Sequence, residues 1–217
     1  MYMFDEKTPP KEIFLTACEK IASELSGYKF SKSKKEFVKK EGDFVFTIYV
    51  YSSMYNQKGL LAEISVSCGI RDAKSKTGYF GDHLSRLSGG VYRDWNLYGK
   101  DNYESAIKDI VTMIKEYFIP LTNRFVSDPK ALAKEVAQRG FYPNGDYYFD
   151  LDFLLKYGDL ELLREAIQKD YDLSYKAAKR EFQRVVSVVR EGGEIDTCSG
   201  LWNIARAIVK YDLNIVY

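Results

Sequence analysis

The segment DFVFTIYVYSS, residues 43–53, limits the possible folds of this chain more than any other stretch. Apolar side chains recur at every second position, which is typical of a β-strand with one face in a core. The even positions are Phe44, Phe46, Ile48 and Val50, and the odd positions are Val45, Thr47, Tyr49 and Tyr51. The second face of this strand therefore needs its own explanation, because it also carries aromatic rings.

A second alternating segment, LLAEISVSCGIRD at residues 60–72, follows a turn predicted at residues 54–59. Its even positions are apolar, whereas its odd positions are mostly polar: Glu63, Ser65, Ser67 and Arg71. Such alternation predicts an antiparallel sheet with one covered face. Two shorter strands are predicted around Phe30 and Phe37, and the short connections favour a meander of hairpins.

Two amphipathic segments are predicted to cover the apolar face of the sheet as helices, at residues 10–26 and 102–119. Apolar residues recur in both at helical spacing. We expect Thr8 to cap the first helix. A capping box that starts at Asp101 is expected to begin the second, and Pro120 to bend or end it.

From residue 127 onward the pattern is wholly helical. Asp128, followed by a proline, predicts a helix start, and Gly140 predicts the end of the same helix. The sequence thus predicts an α+β protein with two parts. Residues 1–126 form a helix-flanked antiparallel sheet, and residues 127–217 form an all-helical part packed on it.

Residues 72–100 show no sustained period and mix glycine with aromatic and charged residues. A short helix at residues 82–87 and an edge strand at residues 91–97 are expected within them. A stretch of this length inside a compact domain is usually functional when it has no regular structure.

Composition excludes several classes of function. Lys plus Arg is 32 and Asp plus Glu is 31, so nucleic-acid binding through global charge is not expected. We read neither a secretory leader nor an apolar run of the roughly 20 residues that span a bilayer. Cys18, Cys68 and Cys198 stand far apart among apolar residues, which favours buried thiols in the cytoplasm.

The single histidine, His83, restricts the possible chemistry. Zinc sites that need two histidines are excluded, and no Cys-x-x-Cys pair replaces them. Phosphate-binding loops and the dinucleotide fingerprint are missing as well, so we expect no metal and no cofactor. Catalysis, if present, would centre on His83 and the acids near it. Asp150 and Asp152 could begin a cation site, but helix capping is the better interpretation.

The stretch YKFSKSKKEFVKK, residues 28–40, interleaves lysines with aromatic residues. Such a pattern can hold a nucleic-acid strand through phosphate contacts and stacking. A solvated hairpin whose lysines protect the edge of the sheet is the better interpretation.

The second face of the sheet is the candidate binding site. Tyr49, Tyr51 and Arg71 share odd parity on two strands that we expect to pair, so they project to one side. Trp95 is expected to border this surface from the irregular stretch, and Arg and large aromatic residues often anchor protein interfaces. The alternative is that the C-terminal helices cover this face and make the rings core.

The order of these parts carries a resemblance. A helix ends in LSGYKF, EFVKKEGDFVFTIYVYSS and AEISVSCGI follow, and RLSGGVYRDWNLYG precedes a helix that ends in YFIPL. This arrangement, at about residues 10–126, resembles an uncharacterised bacterial family of small α+β proteins, similar in style to toxin-immunity proteins. The resemblance implies toxin binding without catalysis, with Trp95, Ser52 and Ser53 at recurring positions. The helical stretch after Ser127 departs from the usual short form.

Our leading hypothesis is therefore a non-enzymatic cytoplasmic binding protein, immunity-like, with a protein partner such as a toxin. A nucleic-acid-associated protein that uses residues 28–40 is the alternative. An enzyme centred on His83 is the third.

Overall fold

The computed structural model describes Phe4 and residues 7–142, 147–194 and 200–217. These residues form two compact units, Met1–Ser127 and Asp128–Tyr217. We call them the sheet unit and the helical unit, and each is described by itself. Within the described residues, no helix has both the length and the apolar composition needed to cross a membrane.

The sheet unit contains an antiparallel sheet in the order β1-β2-β3-β4-β5, with β6 paired to β4. The strands are β1 (Lys29–Ser31), β2 (Glu36–Glu41), β3 (Phe44–Ser52), β4 (Glu63–Asp72), β5 (Gly78–His83) and β6 (Trp95–Asn96). The predicted α+β class is confirmed, since helices flank this sheet and the chain beyond it is helical.

The register between β3 and β4 pairs Phe46 with Ile70 and Ile48 with Cys68. The apolar even positions of β3 and β4 are all buried, as the alternation predicts: Phe44, Phe46, Ile48, Val50, Ile64, Val66, Cys68 and Ile70. This face meets α1 (Pro10–Glu24) and α4 (Ile119–Ser127), while α3 (Lys100–Met113) packs against α1 and β6. One continuous apolar layer between the sheet and these helices is therefore the core of the sheet unit.

The helix termini differ from their predicted caps. Pro9 rather than Thr8 stands at the N-cap of α1, and Gly99, with φ of 91°, stands at the N-cap of α3 in place of Asp101. Neither N-cap residue makes a side-chain capping bond. The predicted N-caps of α1 and α3 were therefore wrong. The residues at these positions, a proline and a glycine, have no side chain that accepts a hydrogen bond.

Pro120 does not end the second long helix. The chain passes from α3 through a π-helical turn, Ile114–Phe118, directly into α4. Proline removes one N–H and crowds the carbonyl one turn earlier, and a locally widened helix accommodates both effects. The helix therefore continues as far as Ser127, and Phe125 at its end is fully buried.

Residues 72–100 hold more regular structure than expected. The helix α2 (Leu84–Leu87) falls within the predicted range, and β6 lies within the predicted edge strand. The sequence did not predict the strand β5, because Gly78 and Gly81 interrupt its apolar pattern. The strand also begins at an irregular position, since the register with β4 shifts between Ile70 and Arg71, where Gly78 pairs with Arg71.

The described residues of the helical unit form helices, as the sequence predicts. They are α5 (Pro129–Arg139), α6 (Leu151–Tyr157), α7 (Leu160–Leu173), α8 (Lys176–Arg190) and α9 (Gly200–Lys210). Asp128 caps α5 through a 2.9 Å bond from the Ala131 N–H, and Gly140 ends it at φ of 76°. These helix signals were readable because each side chain acts within one turn of its own position.

The cysteine prediction holds where the structure tests it. Cys18 and Cys68 are free and buried, and burial raises the pKa of the Cys18 thiol to about 12. Both thiols therefore stay protonated at neutral pH. Cys198 lies outside the described residues.

Replacing Phe46 by Ala tests the register of the sheet. Phe46 is fully buried, so the variant should lose about 3–5 kcal/mol of unfolding free energy through the cavity that it leaves. Urea denaturation followed by circular dichroism measures this loss. The control is Leu60→Ala, whose parent side chain is 69% exposed and whose effect should stay within about 0.5 kcal/mol. Equal stability of the two variants would contradict the register.

Candidate functional site

The face of the sheet opposite the core carries the predicted binding residues. Tyr49 stands opposite Ser67, Tyr51 opposite Ser65, and Val45 opposite Arg71. Because directly paired residues project to the same side, Tyr49, Tyr51 and Arg71 share one face. We call this surface the tyrosine face.

The two tyrosine rings of this face are accessible to different degrees. Tyr51 is 51% exposed and Tyr49 is half-buried, so neither ring lies in a dry core. Their centroids are 6.4 Å apart with planes inclined by 23°, so the rings form a stacked pair along β3. Partial burial and the neighbouring Tyr49 raise the pKa of the Tyr51 hydroxyl, which remains a neutral donor at physiological pH.

Glycines make a hollow in this face beside Tyr49. A Cβ atom on Gly69 would come within 3.2 Å of Cε2 of Tyr49, so the ring lies across the bare backbone of Gly69. Gly78 and Gly81, on β5, have no heavy atom within 4 Å of the position a Cβ would take. The result is a hollow of about 670 Å³, which we call the glycine hollow. This volume is within the range of ligand-binding clefts.

The charged residues that line the glycine hollow are mainly cations: Arg71, Lys76 and Arg86, with Asp82 as the acidic one. Arg86 pairs with Asp82 at 3.3 Å, between Nη1 and Oδ2, and Lys76 donates to the backbone carbonyl of Ala73. The side chain of Arg71 makes no hydrogen bond or ion pair with any described residue, although Arg71 is half-buried. The hollow therefore presents one cation without an acidic partner in the described structure.

His83 lies at one end of the hollow and is held from both ring nitrogens. Nδ1 accepts from the backbone N–H of Ser85 at 3.3 Å, so the side chain of His83 caps α2, and the same nitrogen lies 2.8 Å from the Ser85 hydroxyl. Nε2 lies 3.1 Å from the hydroxyl of Ser65 and 3.8 Å from a carboxylate oxygen of Asp94. Tyr92 completes the chain, with its hydroxyl 3.2 Å from Ser65.

This arrangement fixes what His83 can do. Because Nδ1 accepts, the neutral imidazole carries its proton on Nε2 and donates it to Ser65. A histidine that donates to a serine cannot take the proton of that serine, so Ser65 is not activated as a nucleophile. His83 is only 5% exposed, and its contacts are those of a helix-capping residue.

Trp95 does not share the exposure of the tyrosines. It stands opposite Ile64, an even position, and is 6% exposed. Its indole N–H donates to Asp109 of α3 at 2.7 Å, and its ring stacks on His83 at 5.8 Å between centroids. Trp95 thus links β6 to α3 and packs against His83, which lines one end of the glycine hollow.

Acidic neighbours balance half of the six lysines in the hairpin of residues 28–40. Three of its lysines have carboxylate partners: Lys32 with Glu19, Lys34 with Glu36 and Lys39 with Glu41. The ammonium of Lys35 lies 5.6 Å from the ring centroid of Phe14. Phe30 and Phe37 stack on each other at 4.8 Å, so their facing sides are not open to bases.

The helical unit has a cavity of its own, of about 910 Å³, lined by residues 147–152 and by side chains of α7 and α9. Asp150 accepts from the N–H of Phe153 at 2.8 Å, which confirms its predicted capping role. Burial raises the pKa of the Asp150 carboxyl to about 7. The described residues hold no group of three or more His, Cys, Asp or Glu side chains that could bind a metal.

Comparison with known families gives a match for part of this chain. Residues 21–124 match the model described as Domain of unknown function (DUF4304). The match covers most of the sheet unit, including the whole tyrosine face, and points to an uncharacterised domain family without indicating an enzyme family. No match was found among curated proteins or among solved structures.

Sequence reasoning missed the residues that shape the hollow. Gly69, Gly81, Lys76 and Arg86 were not singled out, and Thr47 was named only for its position in the strand. A glycine inside a strand often marks a close approach of a ligand or another backbone, so Gly69 carried a usable signal. Lys76 and Arg86 gave none, since their positions depend on β5.

The titration of His83 tests its buried, donating role. Burial lowers the pKa of His83 below its ordinary value of 6.5, although Asp94 and Asp82 oppose this shift. NMR of the single imidazole should therefore give a midpoint below 6.5. Asp94→Asn should lower the midpoint further, and Asp43→Asn in the β2–β3 turn should leave it unchanged.

The lowered pKa of His83 also makes the free energy of unfolding depend on pH. The unfolded chain binds the proton more readily, so His83 contributes stability above pH 6.5 that is lost as the pH falls through the folded-state pKa. A midpoint above 6.5 would contradict a buried His83 ring that is neutral at physiological pH.

Proposed function

We propose that this chain is a non-enzymatic cytoplasmic binding protein whose tyrosine face contacts a protein partner. The observation that carries this proposal is that one sheet face presents both a half-exposed Tyr51 and Arg71, whose side chain has no partner among the described residues. Tyrosine and arginine are enriched at interfaces because they combine large contact area with polar groups that can be satisfied by a partner.

The contacts of His83 argue for binding rather than catalysis. Its ring is committed to Ser85 on one side and donates to Ser65 on the other. An enzyme would need a base or nucleophile aimed into the hollow, and the geometry of His83 offers neither. The face is thus better suited to hold a partner than to transform a substrate.

The similarity to immunity proteins noted from the sequence makes a toxin the first partner class to test. An immunity protein acts by occupying a surface of the toxin, so a rigid face with aromatic anchors suits that role. A toxin encoded beside the gene for this chain would be the cheapest supporting observation.

Replacing Tyr51 by Ala tests the role of the face. Affinity capture from the native cells identifies the partner, and calorimetry with that purified partner measures its affinity for each variant. Tyr51→Ala should weaken binding by about 1–2 kcal/mol, or roughly 5- to 30-fold, because an aromatic anchor is lost. The thermal midpoint should barely change, since the ring is 51% exposed.

The matched control is Tyr175→Ala, which removes a 74% exposed tyrosine from the helical unit. Binding by this variant should equal that of the unaltered protein. Equal affinities for all three proteins would rule out the tyrosine face as the contact surface.

Nucleic-acid association has weaker support, because acidic neighbours pair with three of the six lysines of residues 28–40 and the rings of Phe30 and Phe37 stack on each other. We expect no binding of nonspecific DNA or RNA at physiological salt in fluorescence anisotropy. An affinity that falls linearly with log salt, and less steeply in Lys34→Gln, would instead favour a phosphate-binding hairpin.

A further inference from the structure

We infer that the glycine hollow receives one acidic side chain, an aspartate or glutamate, carried on an extended segment of the protein partner. This inference rests on the proposed function and adds the chemistry that the partner must present. Three observations carry it: the open glycine floor, the donors that line the hollow, and the balance of charge among them.

The floor of the hollow admits a polypeptide backbone. Gly78 and Gly81 leave open space where other residues would place a Cβ. Gly69 allows the ring of Tyr49 to approach its backbone closely. Glycine within a strand is typical of sites where another backbone approaches closely. The exposed ring of Tyr51 continues the same surface along β3, so an extended segment could contact the rings and the hollow together.

The polar groups left without partners in the hollow are donors. Arg71 supplies a guanidinium, whose five N–H groups match a carboxylate in a bidentate geometry. Thr47 lines the hollow, and its side-chain hydroxyl makes no hydrogen bond to any described residue, so it can donate to an acceptor that a ligand brings.

The balance of charge favours a single carboxylate over a phosphate. Asp82 neutralises Arg86, and Lys76 is engaged with the carbonyl of Ala73, which leaves Arg71 as the cation without a described partner. One guanidinium matches one negative charge. A phosphate group would bring more charge than Arg71 balances and would place it near the carboxylate of Asp82.

Two capped peptides that differ in one group test this inference without the partner. The probes are acetyl-Gly-Val-Glu-Val-Gly-amide and its Gln counterpart, titrated into the ¹⁵N-labelled full chain. The Glu peptide should shift the amide resonances of Gly69, Gly78 and Gly81 at millimolar concentration. The Gln peptide should bind about tenfold more weakly, because the charge-assisted bonds to Arg71 are lost.

Variants then assign the effect to Arg71. Arg71→Gln should weaken the Glu peptide about tenfold, and Arg71→Lys should give an intermediate loss because it keeps charge without the bidentate fork. The matched control is Lys11→Gln, which removes an exposed cation from α1, the helix on the opposite face of the sheet, and does not line the hollow. The affinity of this variant for the Glu peptide should stay within about twofold, since an exposed charge on the far side of the sheet is screened.

Three results would overturn the inference. Equal binding of the Glu and Gln peptides, or no shift at the three glycines, would show that the hollow does not select a carboxylate. Tighter binding of inorganic phosphate or adenosine monophosphate than of the Glu peptide would make it a small-anion site. The proposed function is tested separately, because partner binding could depend on Tyr51 even where neither peptide binds.

Discussion

The pairing of β3 with β4 is the constraint on which the sheet unit depends. Its register puts every apolar even position into the core and every odd position onto the tyrosine face. A slip by one residue would exchange the two faces, exposing Phe46 and burying Arg71. Burial on one side thus fixes the geometry on the other, because the tyrosine face is formed by the same strands as the core.

Much of the fold could be predicted because its signals are local. The alternation in β3 and β4, the cap at Asp128 and the stop at Gly140 each act through the chain within a few residues. The face shared by Tyr49, Tyr51 and Arg71 follows from parity once the pairing is assumed. Each of these features can be read from one strand or one turn at a time.

The remainder depended on contacts between distant segments. From the sequence, Trp95 was expected to border the tyrosine face. In the structure it is buried, because it stands opposite Ile64 and its indole N–H donates a hydrogen bond to Asp109. The glycine hollow exists only because β5 brings Gly81 beside Gly69, and glycines are what made β5 hard to see. The same residues that hide the strand from a pattern search create the open floor of the site.

The π-helical turn at Ile114–Phe118 has a consequence for how this chain can change over time. Such a turn holds one more residue than an α-helical turn, and each residue in an α-helix advances the helix by about 100°. Because the extra residue is taken up within the wider turn, loss of a single residue there would restore regular α-helix and leave the residues that follow close to their present orientation. Leu121 and Phe125 would then keep their buried positions in the core. Deletion of one residue should therefore be tolerated within this turn, whereas a deletion in the regular helix on either side would rotate the residues after it by about 100°.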